Sequence, residues 1–291
     1  MARADLAVLC ALGAALFIAI GDVIHERQAH EVSPEPVGHL ELFARLLRDR
    51  AWWIGSLVAA VGFTLQAAAL GLGSVLLVQA LLVTSLLFAL PINARLSHRR
   101  VTAAQWIWAA LLAAAIAVIV TVGNPTPGHA RGGAEMWTVV ALVLVPALVL
   151  CLVGARIWSG TVSAVLLGLG SGAQWGVFAV LTKGVVDRLG DGLWELLAAP
   201  ELYVWAALAV GGTVLQQASF RAGSLTASLP TMTVAEPVVA SVLGVVVLGE
   251  TLRPGDAGWA TLVAAVAVMV VSTAALARSE AATAGGTVAA H

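Results

Sequence analysis

A carboxylate near the middle of an apolar segment, Glu236, is followed directly by Pro237. A carboxylate at the centre of a bilayer costs about 2.5 kcal/mol or more, and such groups usually line a cavity or a pathway. Because Pro237 has no backbone N–H and clashes with the carbonyl four residues earlier, we expect the helix to kink and to free that carbonyl for a ligand. Together with the hydroxyl of Thr231, these residues predict a binding or coupling site. The alternative is a structural Glu236 paired with Lys183, Arg221 or a glutamine.

A second group of polar side chains consists of glutamines inside apolar segments. They are Gln66, Gln79, Gln174, Gln216 and Gln217. An amide both donates and accepts hydrogen bonds, so it holds a polar solute without burying a charge. Trp175, beside Gln174, would offer a stacking surface for an organic cation or an aromatic solute. The alternative for each glutamine is an interhelical hydrogen bond, worth about 0.6–2 kcal/mol.

Other chemistries find little support in the sequence. No histidine lies inside an apolar segment, and Glu236 is the only carboxylate near the middle of one, so neither a Ser–His dyad nor a paired-aspartate protease fits. A Gly-x-x-x-x-Gly-Lys loop for phosphates is missing. The acidic residues and histidines between positions 22 and 39 match no zinc spacing and are expected to form a solvated loop. We therefore expect no enzymatic activity and no cofactor.

The composition predicts an all-α, polytopic membrane protein. Of the 291 residues 60% are hydrophobic and 11% are charged, whereas an ordinary soluble domain is about a quarter charged. The net charge of −1 gives no basic face for nucleic acid. A transmembrane helix needs about 20 mainly apolar residues. Nine runs are long enough: 5–24, 51–70, 74–94, 102–122, 136–155, 161–182, 201–219, 224–247 and 257–277.

An internal repeat emerges when each residue is compared with the residue 150 positions later. Within 16 residues, seven identities include Gln66 with Gln216 and Ser74 with Ser224. Corresponding segments are five apart, which is an odd number, so the two halves should cross the membrane in opposite directions. Such inverted-topology repeats are typical of secondary transporters, whose substrate site lies near the midplane between the halves. The fifth segment would be the linker helix.

These patterns divide the chain into four parts. Residues 1–122 form the first repeat, with spans 1–4 and an amphipathic interfacial helix over 25–50 that lies on the membrane or dips into it. Residues 123–155 form a loop and the linker span, and residues 156–277 form the second repeat. The Ala-, Gly- and Thr-rich end, 278–291, is expected to be disordered.

Charge and small residues add three expectations. Ten Lys and Arg residues fall on one side of the predicted topology and five on the other, which places the C-terminus in the cytoplasm and the N-terminus outside a plasma (inner) membrane. The polar stretch 183–200 is expected to lie at the membrane interface after the sixth span. Glycines at positions 168, 172 and 176 favour close helix packing.

Two short stretches carry a family resemblance. The sequences Ala235-Glu236-Pro237-Val238-Val239-Ala240 and Leu248-Gly249-Glu250-Thr251-Leu252 resemble the second EamA repeat of the drug/metabolite transporter superfamily. With the duplicated plan, the likeness covers nearly the whole chain. The nine-span count and Trp52-Trp53-x-Gly55 look like the NIPA-type magnesium transporter branch. In the first half, Leu96-Ser97-His98 stands at the position of the Gly-Glu turn and lacks the glutamate.

The resemblance and the repeat imply a secondary transporter that moves a small polar or cationic solute by alternating access, with proton coupling left open. One alternative is a NIPA-like Mg²⁺ transporter with Glu236 as the metal ligand, since Mg²⁺ prefers oxygen ligands and one or two carboxylates. Another is a non-transporting membrane scaffold or accessory subunit. The expected partners are the lipid bilayer and the transported solute, and a homodimer remains open.

Overall fold

The computed structural model describes residues 2–31, 50–96, 100–222, 225–255 and 258–288. Within them the chain forms eleven helices and no strand, apart from one isolated bridge between Thr126 and Thr251. The helices are α1 Ala2–Glu31, α2 Arg50–Leu72, α3 Val75–Leu82, α4 Ser85–Leu96, α5 Ala103–Gly123, α6 Ala134–Ile157, α7 Thr161–Asp191, α8 Leu193–Ala198, α9 Pro200–Ala222, α10 Leu225–Leu248 and α11 Gly258–Val288.

Eight helical segments in the described ranges are long and apolar enough to cross a membrane, which supports the predicted multi-pass membrane protein. The predicted count of nine is not confirmed. The segment predicted over 201–219 does form a helix, α9, but this helix is not among the eight. Helix α9 is long enough to cross a membrane, so its composition is the reason that it is not among the eight. Gln216 and Gln217 lower its mean hydropathy.

The third span is not one continuous helix. It consists of α3 and α4, which are separated at Val83 and Thr84, near the middle of the segment Val75–Leu96. The N–H of Thr84 donates to the Leu81 carbonyl, three residues earlier, and so does the Thr84 hydroxyl at 2.5 Å. A side chain that competes for backbone carbonyls in this way interrupts the regular i to i−4 pattern of hydrogen bonds.

The stretch 183–200 differs from its sequence prediction in its first half. Helix α7 runs on to Asp191, so Lys183 lies inside a helix and is buried, rather than in an interfacial segment. Apolar residues at 181, 185, 186 and 189 continue the helical period, and no proline stops the helix. The short helix α8 follows, with Leu193 and Trp194 exposed, as expected for a membrane interface.

The structure differs from the predicted disordered tail, and it describes only part of the predicted interfacial helix. The expected disordered tail, 278–291, is wrong as far as Val288, because α11 continues to that residue. Its alanines are strong helix formers, which outweighs the low hydrophobicity of the tail. Of the interfacial helix predicted over 25–50, the first residues belong to α1, while residues 32–49 lie outside the described residues.

Within each half of the predicted domain organisation, the first long helix packs on the helices that follow it. In the first half α1 packs on α2 and on α3 and α4, and in the second half α7 packs on α9 and α10. Between the halves, α3 packs on α10 and α5 packs on α11. The segment Val75–Leu96 is the most enclosed of the eight spans, and α6, the predicted linker helix, is the most exposed. The core therefore lies where the halves meet.

Helices α7 and α10 approach each other closely at two glycines. A Cβ at Gly172 would lie 2.7 Å from Ala235 Cβ, and a Cβ at Gly176 would lie 2.9 Å from the carbonyl oxygen of Glu236. The close packing predicted from the glycine spacing is thereby confirmed. Its consequence is that the backbone around Glu236 is pressed against α7.

Replacing Gly176 by alanine should weaken this contact, because the new Cβ would meet a backbone oxygen that cannot turn aside. Overpacking of this kind costs about 1–3 kcal/mol, so we expect a lower melting temperature for the purified protein in detergent, followed by tryptophan fluorescence. Gly190→Ala is the matched control, since a Cβ at Gly190 meets nothing within 4 Å. Both variants share the gain in helix propensity. Equal melting temperatures would contradict the close contact.

Candidate functional site

The predicted central site lies where the interrupted third span meets α10. A small cavity is lined by Val83 of the first half, by Thr233 and Pro237 of α10, and by Met269 and Thr273 of α11. It has room for about one water molecule. Since Pro237 lacks an N–H, the carbonyl of Thr233 has no helical donor four residues later. Residues from both halves therefore meet beside Pro237, whereas Glu236 does not line this cavity.

Glu236 itself is half-buried in α10, and Pro237 is buried within a helix that runs without a break from Leu225 to Leu248. Thr231 is half-buried on the same helix. The suggested pairing of Glu236 with Lys183 is wrong, because Lys183 contacts Glu250, beyond the end of α10. From Glu236 to the end of that helix is about 18 Å at 1.5 Å per residue, which is out of reach of a lysine side chain.

The predicted glutamines do not form one surface. Gln66 and Gln79 are buried, Gln174 and Gln216 are half-buried, and Gln217 is exposed. Neither cavity described here is lined by a glutamine. Among the described residues, Gln79 Nε2 and Gln174 Oε1 are buried and have no hydrogen-bond partner, so the interhelical hydrogen bonds weighed as their alternative role are not found at these two atoms. A buried amide atom without a partner is uncommon.

Trp175 belongs to an aromatic cluster rather than to an open binding surface. Its ring stands edge-on to Phe178, with 5.1 Å between centroids, and Phe178 stacks on Trp205 at 4.9 Å. Phe63 of the first half lies 5.4 Å from Phe178. The indole N–H of Trp205 donates to the Thr182 hydroxyl at 2.9 Å. The rings pack together where α2, α7 and α9 meet, and Trp175 is half-buried there.

A second polar centre, which we call the Glu250 clasp, lies at one end of the helix bundle. It consists of Glu250, Lys183 and the backbone N–H groups of Val75 and Leu76. Glu250 is fully buried, and its Oε1 lies 2.8 Å from Lys183 Nζ. The N–H of Val75 donates to Oε1 at 2.7 Å, and the N–H of Leu76 donates to Oε2 at 3.0 Å. The carboxylate thus satisfies the start of α3 and a buried lysine together.

Local sequence explains how both partners reach the clasp. Helix α3 begins after Ser74, whose hydroxyl oxygen accepts the N–H of Leu77, so the first N–H groups of the helix remain for an outside acceptor. Glu250 follows Gly249, whose φ of 64° is a left-handed conformation that favours glycine. The N–H of Glu250 donates back to the Gly244 carbonyl at 3.0 Å, which fixes the turn.

The loop between α5 and α6 covers this turn. Thr126 pairs with Thr251 through backbone hydrogen bonds and a hydroxyl contact of 2.7 Å. The N–H of His129 donates to the Leu248 carbonyl at 2.7 Å. Gly128 lies directly against the backbone of Leu248 to Glu250, where no side chain would fit. The clasp is therefore enclosed by backbone contacts from the segment that joins the two halves.

Further ion pairs surround the clasp nearer the surface. Arg131 contacts Asp187 at 2.6 Å and also pairs with Asp191, one and two turns after Lys183 on α7. Arg188 pairs with Glu201 at 2.8 Å. The hydrogen bond to Asp191 is the main reason that the pKa of Arg131 is raised, although burial acts in the opposite direction. A second cavity, also with room for about one water molecule, lies among Arg131, Arg188 and Glu201.

Sequence reasoning missed the clasp, although two signals pointed to it. The Gly-Glu turn at Gly249 and Glu250 was recognised only as part of a family motif. Lys183 begins the stretch predicted to lie at the membrane interface, although Lys183, Asp187 and Asp191 are spaced four residues apart, as on one face of a continuous helix. Among the described residues, no group of three or more His, Cys, Asp or Glu side chains could hold a metal ion.

Replacing Lys183 by methionine should cost about 3 kcal/mol or more in the free energy of unfolding, because it leaves the buried Glu250 carboxylate without its cation. Arg188→Met is the matched control. Its partner Glu201 is partly exposed, and such a pair contributes about 1 kcal/mol or less. Unfolding of both variants by SDS titration in mixed micelles would measure the difference. Equal losses would show that the lysine charge is not buried as described.

Comparison with known proteins gives one relative of nearly equal length. No family model matches the chain, and no solved structure matches it. The chain is 38% identical over 281 residues to the uncharacterized protein Cgl0250/cg0304 of Corynebacterium glutamicum, an alignment that covers 96% of this chain and 97% of that protein. This identity over nearly the full length of both shows common descent. The chain belongs to the same family as the Corynebacterium glutamicum protein Cgl0250/cg0304.

Proposed function

We propose that this membrane protein is a secondary transporter of the drug/metabolite type, which moves a small polar or cationic solute by alternating access. The observation that carries the proposal is that the broken third span and the proline in the middle of α10 meet between the halves. Val83, at the break between α3 and α4, and Pro237, in the middle of α10, line one small cavity. Interrupted spans at the interface of repeated halves mark the substrate site in many transporters.

The repeated packing supports the same proposal. In the predicted first repeat α1 packs on α2, α3 and α4, and in the predicted second repeat α7 packs on α9 and α10, a similarity that favours two comparable bodies. Alternating access requires two such bodies that can rock against each other around a central site. The cavity beside Pro237 is too small for an organic solute, so the proposed mechanism requires the halves to separate there before a solute binds.

Glu236 is our candidate for the coupling or substrate-binding carboxylate. It neighbours Pro237, and Gly172 and Gly176 hold its backbone against α7, so a movement of α10 relative to α7 would move this carboxylate. The NIPA-like Mg²⁺ transporter and the non-transporting scaffold remain alternatives. No observation adds support for Mg²⁺, because no three metal-binding side chains lie close together among the described residues.

The count of positive residues is the ground for the proposed orientation, with the N-terminus outside and the C-terminus in the cytoplasm. Ten Lys and Arg residues fall on the cytoplasmic side of the predicted topology, and five, among them Arg131, Lys183 and Arg188, fall on the outer side.

Glu236→Gln should abolish flux while the protein still folds, because the amide keeps the size of the side chain and removes its charge. We would reconstitute the protein in liposomes that contain a Mg²⁺-sensitive dye and a pH dye, and screen organic solutes for those that move protons. Glu135→Gln, at an exposed site at the start of α6, is the matched control and should transport like the native protein.

The outcomes of this experiment separate the candidates. Solute-dependent proton movement that stops in Glu236→Gln supports a proton-coupled carrier, and solute flux that stops without proton movement supports an uncoupled one. Mg²⁺ flux that stops in the same variant promotes the NIPA-like alternative. Flux that is independent of pH and unaffected by the substitution would remove Glu236 from the mechanism. No flux of any solute, together with a partner that co-purifies, would favour a scaffold.

Pro237→Ala should slow transport about fivefold, because it restores a backbone donor for the Thr233 carbonyl and stiffens α10; one such hydrogen bond is worth about 1 kcal/mol. Pro146→Ala, inside the exposed helix α6, is the matched control and should leave the initial rate unchanged. The initial rate of flux in liposomes measures both. A native rate in Pro237→Ala would show that the interruption in α10 does not contribute to transport.

A further inference from the structure

We propose that the Glu250 clasp is the gate that holds one end of the transport pathway closed, and that its release opens the pathway at that end. The inference rests on the proposed function and deepens it. The clasp lies at the end of the bundle, whereas the proposed solute site lies near the middle of the spans. Glu250 and Lys183 therefore lie outside the proposed central site.

The contacts of the clasp are divided unequally between the halves. Glu250 and Lys183 belong to the second half, whereas Val75 and Leu76 belong to the first. When the halves separate at this end, the ion pair can stay together within the second half. The two hydrogen bonds from the start of α3 to the carboxylate must break. The contact that opens is therefore the capping of α3 and not the ion pair.

A carboxylate is the group that this position requires. The N–H groups of Val75 and Leu76 are in the first turn of α3, where they have no acceptor within the helix. The positive end of the helix dipole adds to the attraction for a negative charge. Buried N–H groups without an acceptor are costly. The closed state is thus favoured as long as the Glu250 carboxylate is in place, and opening becomes favourable only when water or a solute takes over these donors.

An independent sign that this end opens comes from Gln79. It lies one turn after Val75 on the same face of α3, it is almost fully buried, and its Nε2 donor has no partner among the described residues. Side chains on a helix lean toward its N-terminus, and for Gln79 this is the end of α3 at which the clasp lies. A buried donor that is unsatisfied in the closed state gains a partner once water reaches it. Gln79 therefore stabilises the open state relative to the closed one.

Thiol labelling tests the gate without a transported solute. Val180, one turn before Lys183 on α7, is almost fully buried and would carry a reporter cysteine in a background with Cys10 and Cys151 replaced by alanine. A membrane-impermeant maleimide is supplied on both sides of reconstituted liposomes. With Glu250 intact we expect slow labelling. In Glu250→Gln we expect labelling about tenfold faster, the effect of losing one charge-assisted hydrogen bond.

Two further variants separate the capping of α3 from the ion pair. Glu201→Gln breaks the ion pair with Arg188 near the surface and should label at the native rate. Exchanging the charges, Lys183→Glu with Glu250→Lys, keeps an ion pair but places an ammonium group at the start of α3, where it cannot accept an N–H. We expect the exchanged protein to label as fast as Glu250→Gln. Slow labelling of the exchanged protein would overturn the capping role.

Native-rate labelling of Glu250→Gln would overturn the gate and leave the proposed transport function standing. Conversely, fast labelling in a protein that moves no solute would uphold the opening of this end while the proposed function fails. If Glu250→Gln elutes as an aggregate in size-exclusion chromatography, Glu250→Asp replaces it. The aspartate is one methylene shorter and cannot reach both N–H groups, so it should also label faster than the native protein, and a native rate would again overturn the gate.

Discussion

Inside an apolar bundle every backbone N–H needs an acceptor, because no water is present to replace one. Most of this chain meets the requirement through helical hydrogen bonds. The start of α3 cannot, since its first N–H groups have no acceptor within the helix. Glu250 supplies that acceptor from the other half, and Lys183 balances its charge. A helix in one half thus depends on a turn in the other, and that turn depends on the left-handed conformation of Gly249.

The central site and the closed end share the same two helices. On α7, Gly172 and Gly176 bring the backbone of α10 close beside Glu236, and Lys183 follows two turns later. On α10, Pro237 interrupts the hydrogen bonds near the centre, and Glu250 follows the end of the helix. A displacement of this helix pair relative to α3 would change the surroundings of Glu236 and the capping of α3 together. The proposed alternating access would therefore change the central site and the clasp in the same movement.

Several features of the site differ from what residue types alone suggest. Trp175 is isolated in the sequence, but Phe63 and Trp205 come from distant segments to pack around Phe178 and fill the space beside it. Gln217 is exposed and Gln79 is buried, although both are glutamines in helices. Which face of a helix a residue occupies, and which neighbour covers that face, is set by packing and not by composition.

Features that depend on neighbours along the chain could be predicted from the sequence. Apolar runs set the membrane spans, the glycine spacing set the α7–α10 contact, and Glu236 with Pro237 marked the middle of α10. The clasp could not be predicted from the sequence, because Lys183 and Val75 are 67 and 175 positions away from Glu250 in the chain. Only the packed fold brings them together. It also decided that the third span breaks at Thr84 and that α7 continues past Lys183. A buried charge is stable only where its partner is placed, and only the packed fold places that partner.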